Sequence, residues 1–501
     1  MHSRGSRGTA RSVTVPRVDG ALDRFATSRA RRVVLVAAAV LVIARLGATD
    51  LWPPDEPRYA LVAEEMRAFD HGWRGLVLLH LHGVPYTQKP PLFYWLAAAA
   101  GAPLGRVTEA AARMPSALAG VATVAVVIAL GTLLAGRAAG TLAGLLLLTT
   151  IDWSYRARTV QLDTLLALCE TAALLAFWRI ETAAGDRKRN LRWMHGALGL
   201  AVLAKGPVGF LIPLLAIAAY LAWQRRLREL PALLPPAGLA LSLGAPIAWL
   251  AGSVALAPAG HFEVAVIENL FGRLGAGAAH AQRPTYYLEK FAPDLLPWLL
   301  LLPLAVGAGR RALAASAPDD ERRAWRFLLA WIATTLLFFT LTAAKRLRYL
   351  LPIEPAFALL FALALRSWLA GRPAQWGRRF AIVAACVWVG QLVAYAGVLP
   401  AQNAAYSPRP VAEAVRALAR QDERVGLYRA ADLANAIVYY GGRRVEVFRE
   451  PAQLSHFAAS GGRVLVFEAE RAAEVEALTP FEVYGRFTVR GETWVVATVA
   501  R

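Results

Sequence analysis

The sequence predicts a mainly α, polytopic transmembrane helix bundle of about eleven to thirteen spans, followed by a small extracytoplasmic α/β domain. Three observations predict it. The chain of 501 residues is 57% hydrophobic and 18% charged, and its mean hydropathy of +0.42 is too high for a soluble protein of this length. Apolar runs near the spanning length recur from Val33 to Leu399. From about Pro410 the pattern changes to short, alternating strand and helix segments.

Charge placement orients these runs. The formal net charge is +20, but the basic residues cluster in short loops between apolar runs, where they set orientation, and this argues against a nucleic-acid partner. Residues 1–32 are polar and basic without a secretory apolar core, which predicts a cytoplasmic tail. Cys169 and Cys386 lie far apart inside apolar runs, so no disulfide framework or paired-cysteine metal site is expected.

With the tail inside, residues 33–49 run outward, 115–135 return to Arg137, 140–153 run outward and 161–179 return to the basic loop GDRKRNLR. The stretch 196–223, broken by AKGPVG, is flanked by two basic loops and must be a hairpin with Lys205 at its outer tip. Segments 233–256, 293–307, 325–341, 350–369 and 380–399 complete about eleven crossings by the spanning-length criterion. Residues 90–105 are too short for a clean span and are expected to be re-entrant or interfacial; counting them as crossing gives the higher number. The membrane domain is thus 33–400, with large outer loops at 50–113 and 257–292, and 410–501 form the outer α/β domain.

This topology gathers the conspicuous polar residues on one side of the membrane: Asp55, Glu56, Arg58, Lys89, Asp163, Lys205, Glu268, Asn269, Arg273, His280, Lys345, Arg346 and Tyr349. The KRLRY run defies the positive-inside tendency. It is either a misplaced topology anchor or the receiver of an anion from the outer leaflet. Lys89, beside two prolines and the aromatic run LFYW, supports the anion. Asp55 follows Pro54 at a helix start and fits an ordinary N-cap. Asp163 favours a functional reading, because a carboxylate at the end of a span is costly unless it meets a cation or a wet cavity. Glu268, Asn269, Arg273 and His280 share one loop, where Arg273 could join the anion site or pair with Glu268. Tyr286 and Tyr287 read as interface aromatics.

The blocks DEPRYALVAEEM, GVPYTQKPPLFYWL, RARTVQLDTLLA, LAKGPVGFLIP, ENLFGRL with HAQRPTYY, and KRLRYLLPIEPAFALL occur in that order between Trp52 and Leu360. Together they resemble the ArnT-like, protein-mannosyltransferase-related family of GT-C membrane glycosyltransferases. The resemblance implies transfer of a sugar from a polyprenyl-phosphate donor with inversion, on the outer face of a bacterial inner membrane. The acceptor is a lipid A-like glycolipid, another glycan or a protein. It implies Asp55 as general base, Asp163 as the second acid, and Lys89, Arg273, Arg346 and Tyr349 around the donor phosphate, with Lys345 in the same cationic run. Val160, Gln161 and Leu162 separate Thr159 from Asp163, a wider spacing than in the family's block. The family's lysine follows a glutamate that, with a loop histidine, can bind a divalent metal. Here Gln88 stands in its place, and Gln88 with His280 makes a poorer site, lacking the anionic oxygen that a dication favours. Two rivals remain at this stage: a transporter or flippase of an anionic polyprenyl-linked lipid, and a receptor or assembly protein acting through residues 410–501.

Overall fold

The computed structural model describes residues 20–260 and 282–500. Each predicted crossing coincides with a helix or a run of helical turns. Thr27 caps α1 (Ser28–Ile43), its side-chain oxygen accepting from the Ala30 N–H at 3.0 Å. The helix begins earlier than the first apolar residue because that cap lies inside the basic tail. The first outer loop holds α2 (Asp55–Arg67) and α3 (Leu92–Gly101). With the helical turn that follows it, α3 extends to Leu104, a rise of about 20 Å that is short of the roughly 30 Å hydrocarbon thickness.

The bundle continues with α4 (Glu109–Ala135), α5 (Arg137–Thr149) and α6 (Leu162–Glu181). Helices α4 and α5 meet through glycines: a Cβ on Gly140 would lie 2.3 Å from the Ile128 carbonyl oxygen, so only a missing side chain permits this approach. The predicted hairpin is α7 (Arg187–Lys205) and α8 (Val208–Trp223), with Lys205 at its tip. Gly206, at φ +97°, supplies the reversal that L side chains resist. Then follow α9 (Pro236–Leu256), a span shortened to turns and α10 (Leu302–Ala312), α11 (Asp319–Leu341), α12 (Glu354–Leu369) and α13 (Ala374–Val393).

Among the described residues, five helices are long and apolar enough to cross a membrane by length and composition: Glu109–Ala135, Pro236–Leu256, Asp319–Leu341, Leu347–Leu369 and Ala374–Ala401. The apolar window of Leu347–Leu369 is 83% buried, against 17% for Pro236–Leu256 and Ala374–Ala401. The first is therefore the bundle's centre and the other two form its apolar rim, the arrangement expected where lipid rather than water is the outer solvent.

Residues after 400 form α14 (Arg409–Leu418) and a five-stranded sheet of β1 (Val425–Tyr428), β2 (Val445–Phe448), β3 (Val464–Glu468), β4 (Phe481–Val489) and β5 (Glu492–Val499). The strand order is β2-β1-β3-β5-β4, parallel on the β2–β1–β3 side and antiparallel across β3–β5–β4. The central strands β1 and β3 are almost wholly buried, which matches their continuous apolar sequences VGLY and VLVF.

Candidate active site

Asp55 opens α2, and Pro54 occupies the capping position without a side-chain cap. The capping alternative for Asp55 is therefore corrected: its carboxylate is turned to cations instead. Arg58 donates to Oδ1, Arg348 donates to Oδ2, and Arg346 lies 3.7 Å from Oδ2. Burial pushes the carboxyl up, but the guanidiniums of Arg348, Arg58 and Arg346 outweigh it and hold the group below its usual range. Arg58 also stands over the Tyr59 ring, 5.0 Å from its centroid.

Glu56, one residue on, turns the other way. Its two oxygens accept from Arg113 at 2.9 and 2.8 Å and from the backbone N–H groups of Val160 and Trp52 at 2.9 and 3.0 Å. With every lone-pair direction used, Glu56 is a clamp between α2, α4 and the start of α6 rather than a free pocket acid.

Asp163 meets the hairpin tip. Lys205 donates to its Oδ1, and the Gln161 amide donates to Oδ2 at 2.9 Å. The Lys205 ammonium also stands 4.4 Å from the centroid of the Tyr349 ring. Asp163, Lys205, Tyr349, Lys89, Tyr59, Gln161 and Arg348 line one small polar cavity of about 20 Å³. Beside it opens an apolar groove of about 460 Å³ between α7, α8 and α9, walled by Phe210, Leu243, Pro246, Ile247, Trp249 and Leu250. Gln88, Lys89 and Lys205 stand where the two meet, since they line the groove and both lysines line the cavity as well.

The expected residues thus divide. Asp55, Arg58, Lys89, Asp163, Lys205, Arg346 and Tyr349 converge through direct contacts and the shared cavity. Lys345 turns away: its ammonium donates to the carbonyls of Thr342 and Gln282, and the residue is 4% exposed. Glu268, Asn269, Arg273 and His280 lie outside the described residues. Tyr287 is buried rather than at an interface, its hydroxyl donating to the Arg346 carbonyl at 3.3 Å. Arg348 escaped the sequence expectation although it belongs to KRLRY. The missed signal was its i, i+2 spacing from Arg346 in a run of three cations, which allows two guanidiniums to converge on one acid. Among the described residues, no three His, Cys, Asp or Glu side chains converge as metal ligands. Gln88 brings only a neutral carbonyl, a weak partner for a dication, and His280 lies outside the described residues.

A family model for dolichyl-phosphate-mannose-protein mannosyltransferases matches residues 29–251. The chain is 33% identical over 344 residues to an undecaprenyl phosphate-alpha-4-amino-4-deoxy-L-arabinose arabinosyl transferase of Pectobacterium carotovorum, aligning 68% of this chain with 59% of that protein. It is 30% identical to the Pseudomonas savastanoi protein of the same description, aligning 68% of this chain with 62% of the relative. The chain therefore spans about six-tenths of the length of these curated relatives. The crystal structure of ArnT from Cupriavidus metallidurans bound to undecaprenyl phosphate matches with a TM-score of 0.74 at 20% identity, covering 94% of this chain and 98% of that one. An Archaeoglobus fulgidus oligosaccharyltransferase matches at 0.57 and 14% identity, covering 90% and 69%. At these identities the structural likeness speaks for the fold alone.

Proposed function

The chain is ArnT-like in both sequence and fold, within the protein-mannosyltransferase-related GT-C group, and from that premise we propose that it is an inverting glycosyltransferase using a polyprenyl-phosphate sugar. One observation carries the reading. Lys89 and Lys205 stand at the junction of an apolar groove fit for a prenyl chain and a polar cavity bordered by Asp163 and Arg348. A lipid phosphate at that junction has its tail in the groove and its charge on two ammoniums, with its sugar directed toward Asp163 and Arg348, where the cavity of about 20 Å³ has to widen to admit it.

In the proposed reaction the acceptor oxygen attacks the anomeric carbon from the face opposite the departing lipid phosphate, so configuration inverts. Asp55 orients the acceptor and takes its proton, while Lys89, Lys205 and the guanidinium side of the cavity stabilise the charge that grows on the leaving phosphate. The depressed basicity of Asp55 bears on the acceptor. A weak carboxylate base is poorly matched to an alcohol, whereas a phosphate monoester, whose second pKa is about 6, is mostly ionised at neutral pH and leaves the carboxylate mainly to orient it. This supports an acceptor phosphate, as on a phosphorylated glycolipid, over a sugar or protein hydroxyl. The relatives are described as aminoarabinose transferases, which makes a pentosyl donor the first to try. The site faces the side opposite the basic loops, the outer face of a bacterial inner membrane.

The test is purified protein in nanodiscs with undecaprenyl-phosphate aminoarabinose and a phosphorylated glycolipid, read by mass spectrometry. Glycolipid gaining one aminoarabinose residue supports the proposal. Leaflet exchange of labelled donor without its consumption overturns it in favour of a flippase.

A further inference from the structure

Four of the five residues that lead into α2 are gripped from the far end of the chain. Asp50 Oδ1 pairs with Arg409 at 2.6 Å, while its Oδ2 accepts from Asn403 at 2.8 Å and Ser407 at 2.7 Å. The Asp50 N–H and the Trp52 indole N–H both donate to Asn403 Oδ1, at 2.9 and 3.3 Å, and the Trp52 ring stacks on Tyr406 with centroids 4.8 Å apart. The Leu51 N–H donates to the Tyr440 hydroxyl at 2.7 Å. Arg490 donates to the Pro53 carbonyl at 2.9 Å. Backbone or side chain of four successive residues before Pro54 is thus held by groups after position 400.

The grip reaches the membrane bundle as well. Arg409 also pairs with Glu109, at the first position of α4, at 2.6 Å, and lies 4.5 Å from the centroid of the Tyr440 ring. Tyr440 donates to the same Glu109 at 3.3 Å, and the neighbouring Tyr439 hydroxyl donates to the Val107 carbonyl at 2.5 Å. Both tyrosines project from a single π-helical turn, Ile437–Gly441. Wide turns of this kind redirect consecutive side chains and occur often at functional sites.

We propose that the segment after residue 400 is a brace for Asp55, with Arg409, Tyr440 and Asn403 as positioning residues that fix the approach of α2 to Arg348. The physical need is plain. The segment 50–54 has no regular secondary structure of its own beyond a turn, so without outside partners its backbone polar groups would be left to water and the first residue of α2 would wander. A displacement of about 1 Å at a reacting group can cost on the order of a hundredfold in rate. The brace rests on the sugar-transfer reading for its functional meaning, but its mechanical part stands on geometry alone.

The test uses the full chain in nanodiscs and the variants Tyr440→Phe, Arg409→Gln and Arg409→Lys. Hydrogen exchange at the Asp50 and Leu51 amides, which donate to Asn403 and Tyr440, reads the mechanics, and the transfer assay with undecaprenyl-phosphate aminoarabinose reads the consequence. The expected result is exchange at least about tenfold faster in Tyr440→Phe and Arg409→Gln, with kcat lowered about tenfold or more and undecaprenyl phosphate affinity unchanged. The acid limb of the rate profile moves to higher pH, because Asp55 drifts from Arg348. Arg409→Lys, which keeps a cation between Asp50 and Glu109, recovers part of the rate. Wild-type exchange and wild-type kcat in both variants overturn the brace, as does a loss of rate that tracks thermal stability and donor affinity together. An inactive wild type whose variants still exchange faster sinks the sugar-transfer reading and leaves the mechanical brace standing.

Discussion

Arg348 donates to the Oδ2 atom of Asp55 across 293 positions of sequence. The same guanidinium borders the polar cavity that holds Asp163 and Lys205, so one side chain links the two acids of the site. Removing it therefore changes two acids at once, whereas removing either acid changes one.

Asp55→Asn keeps the shape of the side chain and deletes its basicity. Transfer should fall by about 10²- to 10⁴-fold, the usual worth of a positioned general base. Titration of undecaprenyl phosphate should show unaltered affinity, since the proposed lipid-phosphate site is at Lys89 and Lys205. A variant transferring at the native rate would remove Asp55 from the chemistry.

Arg348→Gln should move the acid limb of kcat to higher pH. Burial pushes Asp55 up and three guanidiniums push it further down, with Arg348 the largest of them. A carboxylate whose folded pKa is depressed below its unfolded value of 3.8 stabilises the fold above that value and loses the contribution as pH falls through the folded pKa. Without Arg348 the folded pKa rises, so base function fails at a higher pH. A pH–rate profile from about 3 to 8, which brackets the ordinary carboxylate values near 4, reads the shift, and an unmoved limb would show that another group controls it.

Lys205→Ala leaves Asp163 buried beside a cavity without its cation. A lone buried charge costs about 3–5 kcal/mol, so the melting temperature should drop. The double variant Lys205→Ala with Asp163→Asn should recover much of it. Donor affinity should stay weak in both, which separates the stability role of Lys205 from its place at the groove.

Glu56→Gln should look unlike Asp55→Asn even though the residues are adjacent. Glu56 makes a buried pair with Arg113, the two side chains being 10% and 3% exposed, and breaking such a pair costs about 3–5 kcal/mol. Thermal stability should fall, while the remaining folded protein should keep the native pH profile. A shifted profile with unchanged stability would reverse the roles assigned to the two acids.

Much of this was legible from local pattern. The hairpin tip at Lys205 follows from AKGPVG between two basic loops, because glycine permits a positive φ and flanking charges fix direction. Lys89 and Asp163 were found because a charge at the end of an apolar run is costly enough to demand a reason. Lys345 and Arg346 could not be told apart that way. They are neighbours in one run, and only the turn at Leu347–Ile353 decides that the ammonium meets carbonyls while the guanidiniums of Arg346 and Arg348 meet Asp55. The same holds for Asp55 and Glu56, whose opposite directions come from their places on one helix.

Sequence alone determined the apolar periodicity, the sidedness of the charges and the change of architecture near residue 410, since hydrophobic free energy and loop charge act through composition over short windows. Tertiary packing decided that Glu56 is clamped by Arg113 while Asp55 meets Arg58 and Arg348, that Arg348 also borders the cavity of Asp163, and that residues beyond 400 hold the stretch of chain before α2. Those outcomes depend on contacts between positions from 57 residues apart, as in Glu56 and Arg113, to 293 apart, as in Asp55 and Arg348, and further, and their energies belong to pairs brought together by the fold rather than to any stretch of chain.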